Sequence, residues 1–281
     1  MTDPLMSPAD QAALARAVEA LERTSLAMRL NNLVGRQLET MGALVPASVS
    51  GVVTKASTLA LKAAMRAALL SLRKTRQRDN RAMHRTLAAA SGAAGGALGL
   101  ASLPIELPIS TTIMLRSIAD IARAEGEDLS QPEAALACLQ VFALGGPARA
   151  GAAAQTGARA DDMFEGGYFA LRGVLAKSIS EAATYIAQKG LADEAAPILV
   201  RLMSQIAARF GLVVSQKVVA QAVPVIGAVS GAAINLAFTE HFQALAKGHF
   251  TVRRLERLYS PDLVRQEYQR IASEKARAAA A

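Results

Sequence analysis

Two long stretches without a charged side chain set the terms for this chain. Thr86 to Ile105 has none, and neither has Val218 to Thr239. Each is about 20 residues, the length of a helix that crosses a bilayer. Each must enter lipid or be wrapped in protein, because a helix apolar on every side has no face suited to water. The residues favour wrapping. The first stretch is mostly Ala, Gly and Ser, poor in insertion energy beside Leu or Phe, and the second carries Gln221, Pro224 and Asn235. Buried helices of a large bundle are expected, and stable transmembrane spanning is disfavoured.

Both stretches are notched with glycine at helical spacing. Gly92 and Gly96 form one pair, Gly95 and Gly99 a second, and Gly227 and Gly231 a third. A face without Cβ atoms lets two backbones approach closely, in lipid and in tight soluble hairpins alike. Glycine costs about 1 kcal/mol relative to alanine inside a helix, so these pairs are expected to pack helices. Prolines fall nearby: Pro104 and Pro108 bracket Glu106, and Pro224 precedes Gly227. Each is expected to break or bend its helix and form a corner of the bundle.

The remaining punctuation is also helical. Ser7-Pro8 with Asp10, and Ser260-Pro261-Asp262, read as helix starts. Ser130-Gln131-Pro132-Glu133 has the capping-box spacing just after Gly126, which is expected to end the preceding helix. Helices are expected near 8–40, 48–76, 80–102, 108–125, 131–144, 167–190, 193–209, 211–222, 225–248 and 260–278. No alternating strand pattern is present, and aromatic residues make up only 4%. The fold class is all-α: a single multi-helix bundle with two Gly/Ala-rich apolar helices and proline-broken corners. Organisation follows as an N-terminal helical region, 1–80, a main helical domain, 81–260, with a Gly/Ala-rich connection at 145–167, and a polar C-terminal helix, 261–281. A hydrophobic share of 52% against 19% charged excludes general disorder. The polar, acidic start lacks a signal peptide's basic and apolar regions, so a cytoplasmic chain is the expectation.

Charge is concentrated early. Lys55, Lys62, Arg66 and Arg73 fall within about 20° of one line on a helix, among Leu59, Met65 and Leu69. Arg73, Lys74, Arg76, Arg78, Arg81 and Arg85 add a dense cluster opposed only by Asp79. With a net charge of +8, a basic patch beside apolar residues suits an anionic membrane surface. A solvated face with long apolar stems is the structural alternative. Nucleic acid is disfavoured, since interleaved aromatics, a zinc site and a helix-turn-helix are all missing.

Candidates for chemistry are few. Arg116 and Asp120 stand four apart among apolar neighbours and must pair if buried; Glu106, Thr112 and Arg116 together could instead form one wall of a polar site. His241 and His249 are two turns apart, poorly placed to share a metal, so no metal and no cofactor is expected. Cys138, the single cysteine, sits in an apolar run and reads as inert core.

Several blocks together resemble the EcsC family. They are Leu103-Pro104 through Arg116-Ser117-Ile118-Ala119 to Gly126-Glu127-Asp128-Leu129 and Pro132-Glu133; Gly167-Tyr168, Arg172 and Lys177; and Pro224-Val225-Ile226-Gly227 through Asn235, His241-Phe242, Gly248-His249-Phe250 and Arg253 to Arg257. The similarity spans about 86–260, and the first eighty residues show no signature of it. The resemblance implies a cytoplasmic bacterial protein at or near the inner membrane, and a link to an ABC transporter or other membrane partner. It supplies no catalytic residues.

Three functions follow as expectations. The first is a non-enzymatic helical protein held peripherally on the membrane by Lys55 to Arg85. The second is a hydrolase-type enzyme gathering Glu106, Arg116, Tyr168, Arg172, His241 and His249 in one pocket. The third is a bundle carrying a lipid or another apolar ligand between its two Gly-rich helices.

Overall fold

The computed structural model describes residues 6–23, 26, 47–71, 103–145, 167–190, 196–222 and 227–280. Among these residues there are eight α-helices and no strand: α1 Pro8–Val18, α2 Ala47–Ser71, α3 Leu103–Ala124, α4 Pro132–Leu144, α5 Tyr168–Lys189, α6 Pro197–Ala222, α7 Gly227–Leu258 and α8 Pro261–Ala280. A π-helical turn, Glu19–Arg23, continues α1. The all-α expectation holds. The expected helix at 80–102, with Gly92, Gly95, Gly96 and Gly99, lies outside the described residues. So do Arg73, Lys74, Arg76, Arg78, Arg81 and Arg85, and the interior of the 145–167 connection.

Local chemistry explains several helix ends. Ser7 Oγ accepts the Asp10 N–H at 3.2 Å with Pro8 in the first helical position, and Ser260 Oγ accepts the Leu263 N–H at 3.2 Å to start α8. Gly126, at φ +83°, closes α3: its own N–H reaches the Arg123 carbonyl and that of Glu127 reaches Ala122. The expected capping box at Ser130 does not form. Gln131 is the residue before α4, with no side-chain cap, while the Asp128 carboxylate accepts the Ser130 N–H at 2.9 Å.

Three expected boundaries are corrected. Pro108 does not turn a corner, because α3 runs through it. The only bond it forfeits is to the carbonyl of Pro104, a residue open to water at the helix start. The expected helices 193–209 and 211–222 are one, α6, because the buried stripe Leu199, Leu202, Ile206, Phe210, Val213 and Lys217 keeps its period across Gly211. The uncharged stretch 218–239 is shared between the end of α6 and the start of α7, and α7 extends to Leu258 rather than 248.

The core is built around α4. Residues 134–144 of this helix are all buried, as befits a helix apolar on every side. Phe142 of α4, Phe210 of α6, and Phe238 and Phe242 of α7 meet with ring centroids 5.1–6.2 Å apart. Cys138 is fully buried there, its thiol pushed up to about 12 by burial, an unreactive state. Helices α2 and α3 lie side by side, and α2 also packs on α6. At the other end α1 and the π-turn lie against α7, where a Cβ on Gly248 would stand 2.9 Å from Leu21 and 3.2 Å from the Ala17 carbonyl oxygen. Among the described residues, α6 alone is long and apolar enough to cross a membrane, and its most apolar window is 44% buried.

Candidate functional site

The six polar residues singled out from the sequence do not meet in one place. Three of them do. Tyr168, at the first position of α5, shares a hydrogen bond of 2.8 Å with Nδ1 of His249 on α7. Arg172, one turn on, holds Glu256 of α7 through two bonds of 2.7 Å and lies 6.0 Å from the centre of the Tyr168 ring. Tyr268 of α8 stacks on Tyr168 at 5.7 Å. Its hydroxyl donates to Glu22 at 2.8 Å, and the same carboxylate oxygen accepts the Tyr168 N–H at 3.1 Å. Glu22 thereby caps α5 in place of Gly167, which has no side chain; a negative group at a helix N-terminus is favourable. Glu22 lies within the π-helical turn that follows α1.

This knot is closed. His249 is fully buried, and burial, helped by the Arg172 and Arg253 charges, holds its pKa well below the ordinary value. Burial also raises the Tyr168 hydroxyl. Both rings are neutral at physiological pH, and His249 Nε2 is buried with no partner among the described residues. Beside the knot, an open cleft of about 260 Å³ between α5 and α8 is lined by Phe169, Arg172, Gly173, Glu256 and Arg265, among others. An ion-pair ladder extends the knot along α7: Arg253 and Arg257 bind Glu127, and Arg254 binds Glu125 and Asp10. Burial raises the Glu127 carboxyl, but the two arginines outweigh it and hold it below its usual range.

Glu106 belongs to a second centre. It is bonded to Lys217 of α6, Nζ to Oε1 at 2.6 Å, and Lys217 also donates to Asn235 Oδ1 of α7 at 2.9 Å. The ammonium lies 5.2 Å from the Phe238 ring centre. Lys217 and Asn235 are fully buried and Glu106 nearly so. Burial lowers the Lys217 pKa, while Glu106 opposes the shift. Asn235 and His249 are fourteen residues apart on α7, about 21 Å at the helical rise, so the two centres are separate.

The other two candidates stand elsewhere. Arg116 is exposed and does not form the expected pair with Asp120, which bridges Arg123 at 3.0 Å instead. Nε2 of His241 lies 3.4 Å from the Gly145 carbonyl, and Arg209 donates to the Ala143 carbonyl at 3.0 Å. These two basic groups serve the end of α4, which has no basic residue in its own last turn. Among the described residues no cluster of His, Cys, Asp and Glu is arranged to hold a metal ion.

The outer surface of α2 carries the described part of the basic line. Lys55, Lys62 and Arg66 are exposed. They alternate with Val52 and Leu59, which are 44% and 53% exposed. The spacing 52, 55, 59, 62, 66 follows three and four residues in turn, so all five share one stripe. On the neighbouring α3, Ile105 and Ile109 are 71% and 50% exposed and Arg116 faces water. Gly227 and Gly231 fall in the first two turns of α7.

The chain belongs to the EcsC protein family, whose model matches residues 9–255. The match begins within α1, so the first eighty residues, expected to carry no signature of the family, belong to it from residue 9 onward. Searches of curated proteins and of solved structures each found no match.

Proposed function

We propose that this protein is a non-enzymatic helical protein held peripherally on the anionic face of the cytoplasmic membrane, where it serves a membrane partner such as a transporter. The observation that carries the reading is the outer stripe of α2. An apolar side chain in water is common, but Val52 and Leu59 alternate with Lys55, Lys62 and Arg66 on a single helical face. That pattern lets apolar groups sink among headgroups while the cations contact lipid phosphates. Each cation contributes about 1 kcal/mol near an anionic leaflet, so neither the charges nor the apolar groups suffice alone.

Co-sedimentation with vesicles tests the proposal. Binding should rise with anionic lipid and fall with salt. Lys55→Glu with Lys62→Glu should weaken it by at least about 2 kcal/mol, or ~30-fold. Binding indifferent to lipid charge, to salt and to this double substitution would end the proposal.

A further inference from the structure

The first two turns of α3 are patterned inside out. Pro104, Ile105 and Ile109 face solvent, while Glu106, Ser110 and Thr111 are buried and Leu107 is the one fully buried apolar residue among them. A helix packed on a core ordinarily shows the reverse. The inward groups meet a polar seam: Glu106 meets Lys217 of α6, Thr111 Oγ1 is buried without a partner among the described residues, and further along Ser117 accepts a bond of 2.7 Å from Gln243 of α7. The contact of α6 and α7 with α4 differs, since there Phe142 of α4 packs against Phe210 and Phe242.

These two surfaces respond differently to opening. Parting the phenylalanines exposes apolar area and gains nothing. Parting Glu106 from Lys217 returns both charges to water and recovers the hydration that burial removed, which is why buried ion pairs hold less firmly than apolar packing of the same volume. Opening the bundle therefore costs least along the side of α3. The outer surface of that segment already shows two isoleucines to solvent, on a helix that packs against α2.

We infer that the first two turns of α3 are the movable part of the bundle, parting from α6 and α7 at the Glu106–Lys217 pair so that Ile105 and Ile109 settle into the lipid that α2 has engaged. This rests on the membrane reading above, and it adds which element rearranges there and where it opens.

Hydrogen exchange of the full chain, read by mass spectrometry with and without vesicles, tests it. The vesicles contain about two parts phosphatidylcholine to one part phosphatidylglycerol. In solution, amides 105–113 should exchange faster than those of α4, and vesicles should protect them. Lys217→Met combined with Glu106→Leu should slow their exchange in solution by about 10-fold or more and shrink the effect of vesicles, with sedimentation onto vesicles retained. Unchanged exchange in that variant overturns the seam. Should it not fold, Ile105→Ser with Ile109→Ser leaves the pair intact, and it must abolish vesicle protection without altering exchange in solution. If the wild type fails to sediment with vesicles, the membrane reading fails. If it sediments and the 105–113 amides gain no protection, the membrane reading stands and this inference is overturned.

Discussion

Replacing Gly167 with alanine should damage the polar knot at the start of α5. A Cβ at Gly167 would stand 2.6 and 2.7 Å from the two Glu22 oxygens and 2.9 Å from the carboxyl carbon. Ordinary contact begins near 3.4 Å, so the carboxylate must retreat by about 0.8 Å. That takes the bond from Tyr168 N–H, now 3.1 Å, beyond hydrogen-bond range and strains the 2.8 Å bond from the Tyr268 hydroxyl. Losing the N-terminal partner of α5 costs about 1 kcal/mol. Losing a charge-assisted bond to a buried tyrosine costs about 1.5–3 kcal/mol. Gly167→Ala should therefore destabilise by about 2.5–4 kcal/mol. Urea unfolding followed by circular dichroism measures this directly. The reasoning further requires coupling: in a Glu22→Ala background the carboxylate is gone, so the same alanine should cost less than about 1 kcal/mol. A cost below about 1 kcal/mol in the wild type, or full additivity with Glu22→Ala, would refute it.

Two further outcomes are expected. His249 is neutral in the folded chain because burial, with Arg172 and Arg253, depresses its pKa well below the ordinary imidazole range, whereas the unfolded chain takes up a proton below about pH 6.5. Its stabilisation is thus present above that pH and is lost as pH falls, by up to about 1.4 kcal/mol per unit; His249→Gln should flatten this part of the stability-against-pH curve, and an unchanged slope would contradict the assignment. Lys217→Met alone leaves the Glu106 carboxylate buried without its cation and should cost about 3–5 kcal/mol in urea unfolding, whereas pairing it with Glu106→Leu should restore stability to wild type or above; equal losses in the single and double variants would show that the pair is not what matters there.

How much of this was legible in the sequence depends on how local each cause is. Ser7, Ser260 and Gly126 act within a few residues of themselves, and their roles were visible from spacing. The line of Lys55, Lys62 and Arg66 needed only helical periodicity. Gly211 failed to end a helix because burial against other helices outweighs the backbone preference of one residue. Glu106 and His249 stood out from their own surroundings and Tyr168 and Arg172 through the family resemblance, but the partners of all four did not. Arg172 reaches Glu256 across 84 positions, and Lys217 reaches Glu106 across 111. Lys217 did leave one local sign, a cation on the same stripe as Phe210 and Val213, which marks a buried charge in need of an opposite one. Glu22 left none, because a π-turn shifts the register on which such readings depend.

Helix α7 connects these findings. It carries Asn235 of one polar centre near its start, His249 and Glu256 of the other near its end, and Phe238 and Phe242 between them. Both centres are tied to helices distant in sequence, so α7 orders the bundle through directional bonds at its two ends and apolar packing in the middle. The two ends differ in kind. Near its end, Arg172, Arg253, Arg254 and Arg257 meet their carboxylates in several mutually supporting, partly solvated pairs, and no single parting frees a fully dehydrated charge. Near its start one sealed ammonium depends on one carboxylate and one amide. A ladder of shared pairs yields gradually, whereas a lone buried pair is either closed or open. A two-state opening belongs at the α3 end of the molecule for that reason, on the helix that packs against α2.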